Sequence, residues 1–274
     1  MVPIFKKGDQ KECSNYRGIT LLSLPGKVFA RIIERRCRDI VEPNIQEAQC
    51  GFRAGRGTTD QIFTLQQILE KSWEFGKPVY SLFIDLEKAY DRVPRDLLWK
   101  TLKEYGICSR LLSSIQSLYN NCKSCVRTNG TKSDYFQVQV GLRQGCVLSP
   151  LLFLIFMDKI SRKSFNSACI KIGDVQVDSL LFADDIVRLA ESSNGLQSAF
   201  NRFQTICPAY GMKISTTKTE LMVSSRESKQ CTLYSRNTQV NQVRNFKYLG
   251  VLFSDDGKQD GEIDRRIGAA TPVL

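Results

Sequence analysis

Three carboxylates are the residues of this chain whose placement could do chemistry. Asp184 and Asp185 are adjacent within LLFADDIVRLA (180–190), and Asp85 closes the apolar run PVYSLFID (78–85). Neighbouring carboxylates repel one another and lose hydration when apolar segments flank them, so the arrangement calls for water or a cation. Oxygen-only ligands suit a hard, octahedral ion such as Mg²⁺. Two buried strands, one ending at Asp85 and one running into Asp184, would deliver all three to one place. Each part alone has a simpler reading: an Asp-Asp pair is commonly a solvated hairpin tip, and an Asp at a strand end a turn residue. The sequence contains no histidine, which excludes Ser-His-Asp and Cys-His schemes.

The elements that must carry these residues alternate along the chain without an obvious linker, repeat or low-complexity tract. Residues 26–41 put Val28, Ile32, Ile33, Cys37 and Ile40 at helical spacing and leave Arg31, Arg35 and Arg38 for a solvated face. A second helix is predicted from Arg95, with Leu98, Leu102 and Tyr105 on its stripe, and a third carries Leu196, Phe200, Phe203 and Cys207. FQVQV (136–140) alternates as a half-buried strand does. In GLRQGCVLSP (141–150), Ser149 suits a helix N-cap and Pro150 the first helical position. From residue 78 onward the order is strand, helices, strands, helix, strand hairpin, helix, strand. That order fits a split βαβ, ferredoxin-like sheet in an α+β fold.

Composition narrows the partners. A net charge of +11 favours a polyanion, either nucleic acid or an acidic membrane surface, although a generic solvated exterior also produces it. The longest apolar run, VLSPLLFLIFM (147–157), is too short to span a bilayer and contains Pro150, and MVPIFKKGDQ does not read as a signal peptide. Nucleic acid is the better partner and no membrane role is expected. Of ten cysteines only Cys122 and Cys125 have ligand-like spacing, so a zinc site is not expected, and the cysteines read as reduced thiols of an intracellular protein.

Five segments occur in a telling order: FIDLEKAYDRVP (83–94), GLRQGCVLSP (141–150), FADD (182–185), GMKISTTKTE (211–220) and FKYLG (246–250), preceded by NYRGITLL (15–22) and GFRAGRGTTDQI (51–62). Together they resemble the reverse transcriptase domain of non-LTR retrotransposons, of the long interspersed element kind, over nearly the whole chain. The resemblance implies a right-hand polymerase with a ferredoxin-like palm: most of the fingers in 1–78, the palm with its carboxylates in 79–245, and the primer grip with the start of a truncated thumb in 246–274. It implies RNA-directed DNA synthesis from an RNA template, a DNA primer and deoxynucleotides. Two Mg²⁺ ions, for which Mn²⁺ can substitute, would be held by Asp85, Asp184 and Asp185. Such ion pairs, roughly 3.5 to 4 Å apart, relieve charge on the attacking and leaving oxygens of a nucleotidyl transfer.

The same resemblance assigns roles to further residues. The carbonyl of Leu86 completes one ion's shell. Tyr90 packs under the incoming sugar and rejects a 2′-hydroxyl; the simpler reading is a core tyrosine at a strand-to-helix corner. Gln144 and Gly145 let the backbone approach the nascent base pair, or else form a tight turn. Arg53 and Arg56 grip triphosphate and template from a glycine-rich loop that lacks the spacing of a P-loop, or else belong to a mobile surface loop. Lys218 protonates or neutralises departing pyrophosphate, or is solvated, and Tyr248, Leu249 and Gly250 steady the primer terminus. Ser215 departs from the asparagine expected after Lys-Ile, which bears on local loop geometry. A second class of function stays open: a catalytically incompetent or domesticated fragment that binds nucleic acid or scaffolds a partner.

Overall fold

A computed structural model describes residues 1–128 and 130–271; the last three residues of the expected thumb segment lie outside that range. The chain forms two compact units that interleave in sequence rather than following one another as consecutive blocks. Met1–Ile45 joins Lys88–Lys159, and Gln46–Glu87 joins the chain from Ile160 onward.

In the first unit, an antiparallel hairpin pairs Val2–Phe5 with Tyr16–Ile19. The helix Leu24–Val41 follows, its start fixed by Ser23, whose hydroxyl accepts the Gly26 N–H, and by Pro25. Its buried face is Ala30, Ile33, Glu34, Cys37 and Val41, whereas Val28 and Ile32, expected in the core, are exposed. The stripe rotates because Glu34 can be buried: Arg31 and Arg38 donate to its carboxylate at 3.2 and 2.6 Å. Helices Arg95–Glu104 and Ser109–Tyr119 bury Leu98, Leu102, Leu112 and Ile115, with Tyr105 buried just beyond the first.

FQVQV forms a strand only at Phe136–Gln137, paired with Lys123–Ser124. The Arg95 guanidinium takes the next acceptors, the Val138 carbonyl at 2.7 Å and that of Gly141 at 3.2 Å, so the segment leaves the ladder. Ser149 is the first residue of the helix Ser149–Lys163, and its hydroxyl lies 3.2 Å from that of Tyr119. The run Leu151–Phe156 is fully buried, which accounts for a helix apolar all round. Among the described residues no helix is long and apolar enough to cross a membrane.

The second unit is built on a five-stranded sheet in the order Ser179–Phe182, Asp185–Ala190, Val79–Ile84, Glu220–Ser224, Asn241–Gln242. Neighbours are antiparallel except the last pair. The central strand VYSLFI is buried on both faces, which its unbroken apolar character requires. Val79 and Phe83 join a core with Leu65, Ile68 and Leu69 of the helix Thr58–Glu74, and with Tyr248 and Phe253 of the hairpin Asn245–Tyr248/Val251–Ser254. Phe246 stacks on Phe83 with ring centres 3.8 Å apart. The helix Ser193–Ala209 buries Leu196, Phe200, Phe203 and Cys207, the stripe expected from sequence.

Arg188 is 1% exposed, beside the Phe203 ring, and donates to Asp178 at 2.9 Å and to the Ser164 hydroxyl at 2.6 Å. Burial pushes its pKa down, and the Asp178 carboxylate opposes that shift. Removing one partner of a buried pair strands the other charge, whereas an apolar replacement of similar length does not. Asp178→Ala is therefore expected to cost about 2 to 3 kcal/mol in urea unfolding, and Arg188→Met less than half of that. Equal losses would assign Arg188 to packing alone.

Candidate active site

The carboxylates are set by strand register. Ile84 pairs with Ile186 and Phe182 with Asp185, so one further step of the first pairing brings Asp85 opposite Asp185. The two-residue connection Ala183-Asp184 puts Asp184 at the hairpin tip. Two-residue loops need positive φ to match strand twist, and Ala183 adopts +59°, a conformation that costs an L-residue roughly 1 kcal/mol or more.

Three residues that the sequence reading missed hold this hairpin. Gly51 lies against it so closely that a Cβ would fall 2.2 Å from the Ala183 nitrogen. Gln49 is fully buried, and its Oε1 accepts the N–H groups of Gly51 at 2.9 Å and Ala183 at 3.1 Å. Gln61 Nε2 donates to the carbonyls of Ala48 at 3.0 Å and Leu181 at 3.4 Å. The glycine signal was visible in GFRAGRG, but a glutamine in a polar stretch reads as surface.

Asp85 is clamped from the other side by the segment 213–219. Its carbonyl accepts the Ser215 N–H at 2.9 Å, and its N–H points to Thr219 Oγ1 at 3.4 Å. Leu86 is buried and bridges Ile214. Ser215, the departure from the expected asparagine, thus serves the clamp through its backbone. Asp85 and Asp185 line a cavity of about 80 Å³ with Lys218 and Tyr248. Lys218 Nζ lies 3.6 Å from Asp85 Oδ2, an oxygen that is buried and accepts no hydrogen bond among the described residues.

Burial, followed by the charges of Asp184 and Asp85, pushes the Asp185 carboxyl up to about 6. A buried carboxylate oxygen that accepts no hydrogen bond, and mutual repulsion within an all-oxygen donor set, fit a divalent cation. Among the described residues no group of three metal-ligating side chains is drawn together.

The remaining expected residues divide. Tyr248 is 3% exposed, with its hydroxyl unpartnered among the described residues and its pKa pushed up by burial. Its side chain is core, and the turn beyond it places Leu249 at φ +46° and the exposed Gly250 at +94°. Arg53 donates to the carbonyls of Gln46 and Gln49, both at 3.1 Å, bracing its own loop, and Arg56 pairs with Glu47.

In the first unit, the Tyr90 ring stacks on Phe153 at 4.2 Å. Gln144 donates to Asp91 at 3.2 Å, while its carbonyl accepts the Thr20 N–H at 2.7 Å. Gly145, at φ +100°, leaves only 2.8 Å between a would-be Cβ and the Thr20 carbonyl. Close packing against Thr20 is sufficient reason for that glycine.

The raised carboxyl has a consequence for stability. Asp185 ionises near pH 3.8 when unfolded and near 6 when folded, so its contribution is lost as pH rises between those values. Asp185→Asn is expected to stabilise the metal-free chain at pH 7.5 by up to about 1 kcal/mol, discounted for solvent screening because the residue as a whole is exposed although its surroundings partly desolvate the carboxyl. The gain should vanish at pH 4, and thermal melts in EDTA at the two pH values check it.

The family model for "Reverse transcriptase (RNA-dependent DNA polymerase)" matches residues 4–253. Among relatives, the Pol polyprotein of the type-2 retrotransposable element R2DM of Drosophila melanogaster is 24% identical, covering 90% of this chain and 24% of that protein. The RNA-directed DNA polymerase of the mobile element jockey of Drosophila funebris is 26% identical, covering 92% and 28%. This chain thus spans about a quarter of the length of these curated relatives. Among solved structures, apo telomerase from Candida tropicalis aligns with a TM-score of 0.58 at 15% identity, covering 86% of this chain and 45% of that one, a likeness of fold. With carboxylates at the end of a split sheet and a family match over nearly its full length, the chain belongs to the reverse transcriptase family, and its relatives are non-LTR retrotransposon enzymes.

Proposed function

We propose that this chain is the RNA-directed DNA polymerase domain of a non-LTR retroelement, extending a primer 3′-hydroxyl with deoxynucleotides along an RNA template. The observation that carries the reading is the register that opposes Asp85 to Asp185, with Asp184 at the adjoining tip. In this reading the five-stranded sheet is the palm, residues 1–78 supply most of the fingers, and the hairpin Asn245–Ser254 begins the primer grip and thumb. Asp85, Asp184 and Asp185 are the residues that would hold two Mg²⁺ ions, or Mn²⁺ in their place, which when bound neutralise charge at the reacting oxygens.

The chain's own groups do the rest. Lys218 Nζ lies 3.6 Å from Asp85 Oδ2 and is suited to neutralise departing pyrophosphate. Arg53 and Arg56 are assigned to the triphosphate and template, Gln144 and Gly145 to the nascent pair, the Leu86 carbonyl to the ion shell, and the Tyr248-Leu249-Gly250 corner to the primer terminus. Because the Tyr248 ring is buried, the contact proposed for that corner is one through the backbone of the turn. The net charge of +11 supplies the attraction for a phosphate backbone.

Primer extension by the purified chain with Mg²⁺ tests this reading. Asp85→Asn and Asp184→Asn should each abolish extension while primer–template binding persists; variants that extend as the parent does would remove the assignment. Affinity should fall by orders of magnitude between low and moderate salt as counterions are released. Binding without extension by the parent would favour the domesticated-fragment reading. Tyr90→Val should relax rejection of ribonucleotides by about 2 to 4 kcal/mol, roughly 30- to 1,000-fold in the ratio of catalytic efficiencies. An unchanged ratio in a folded, active variant would leave Tyr90 as the packing partner of Phe153.

A further inference from the structure

We infer that Gln49 is a positioning residue for the carboxylate hairpin, acting by holding Ala183 in its left-handed conformation; this rests on the polymerase reading above. A two-residue hairpin with alanine at φ +59° has no intrinsic reason to persist, because alanine lacks the freedom of glycine in that region. Ala183 lies beyond the last ladder pair, Phe182 with Asp185. Gln49 Oε1 meets it at 3.1 Å, and the same oxygen takes the Gly51 N–H at 2.9 Å. One buried acceptor thereby ties the strained turn to the segment that supports it.

The surroundings leave the side chain little freedom. Gln49 is 0% exposed and bridges Leu181 in parallel register. The Cys50 N–H donates to the Leu181 carbonyl at 2.9 Å, and the Leu181 N–H to the Ala48 carbonyl at 2.9 Å. Gly51 closes the arrangement, because any side chain there would meet the Ala183 backbone. Asp184 and Asp185 follow directly, so their carboxylates inherit whatever backbone angles Ala183 adopts.

The inference has a readout that needs no activity. In the parent chain, labelled with ¹⁵N-alanine, the Ala183 amide should exchange with solvent about 100-fold or more slowly than an open-loop alanine. Exchange at the loop rate would overturn the proposal. Gln49→Met keeps shape and loses the acceptor. It should lower kcat about tenfold or more, with KM for deoxynucleotide and primer–template affinity within about threefold. The double variant Gln49→Met/Ala183→Gly should recover a substantial part of that loss, since glycine adopts the turn unaided.

A Gln49→Met chain that extends as the parent does, or a loss that Ala183→Gly leaves untouched, would reduce Gln49 to ordinary core packing. Should Gln49→Met not fold, the exchange rate in the parent decides. Absence of extension by the parent itself would defeat the polymerase reading, while the exchange measurement still tests Gln49.

Discussion

Like charges that must stand side by side are held there by backbone, because their own interaction drives them apart. The second unit depends on this constraint. Asp85 and Asp185 meet because the central strand and the hairpin share one hydrogen-bonded register, and shifting it by a residue would turn every side chain of that ladder to the opposite face. Burial, and after it the neighbouring charges of Asp184 and Asp85, raises the Asp185 pKa, so the carboxylates stand where their own ionisation is disfavoured.

Around that register the buried polar groups are distributed by task. Gln49, Gln61 and the backbone of 46–51 support one side of the carboxylates, and residues 213–219 clamp the other through Asp85 and Leu86. Arg188 sits deeper on the same strand as Asp185, its two terminal nitrogens donating to Asp178 and Ser164. Each is a polar group whose burial is tolerable only with its partners in place. They restrict the sheet to one arrangement, which apolar packing alone would enforce less tightly.

Much of this was legible in the sequence where one physical pattern dominated. Acids between apolar runs marked Asp85, Asp184 and Asp185, and a clean 3.6-residue stripe marked Leu196, Phe200, Phe203 and Cys207. The reading failed where a polar side chain took an apolar one's place. Glu34, paired with two arginines, rotated the first long helix and left Val28 and Ile32 outside. The Arg95 guanidinium drew the backbone of 138–141 out of a strand that alternation alone suggested. Gln49 was invisible because nothing local tells a buried glutamine from a solvated one. Tyr248 was read by motif as a primer contact, yet its ring belongs to the core. The compact units interleave in sequence, because strand neighbours lie far apart along the chain.

That last feature bears on how the chain acquires its structure. The central strand ends at residue 84, yet its partners are Asp185–Ala190 and Glu220–Ser224, about one hundred residues or more downstream. Loop closure over such distances precedes any reward from the contacts it makes, which slows folding in proportion to sequence separation. During synthesis, VYSLFI must therefore wait, apolar and unpaired along both edges, until the ribosome has delivered the whole hairpin. The stretch that later aligns the carboxylates is, until then, the part of the nascent chain most in need of a chaperone's cover.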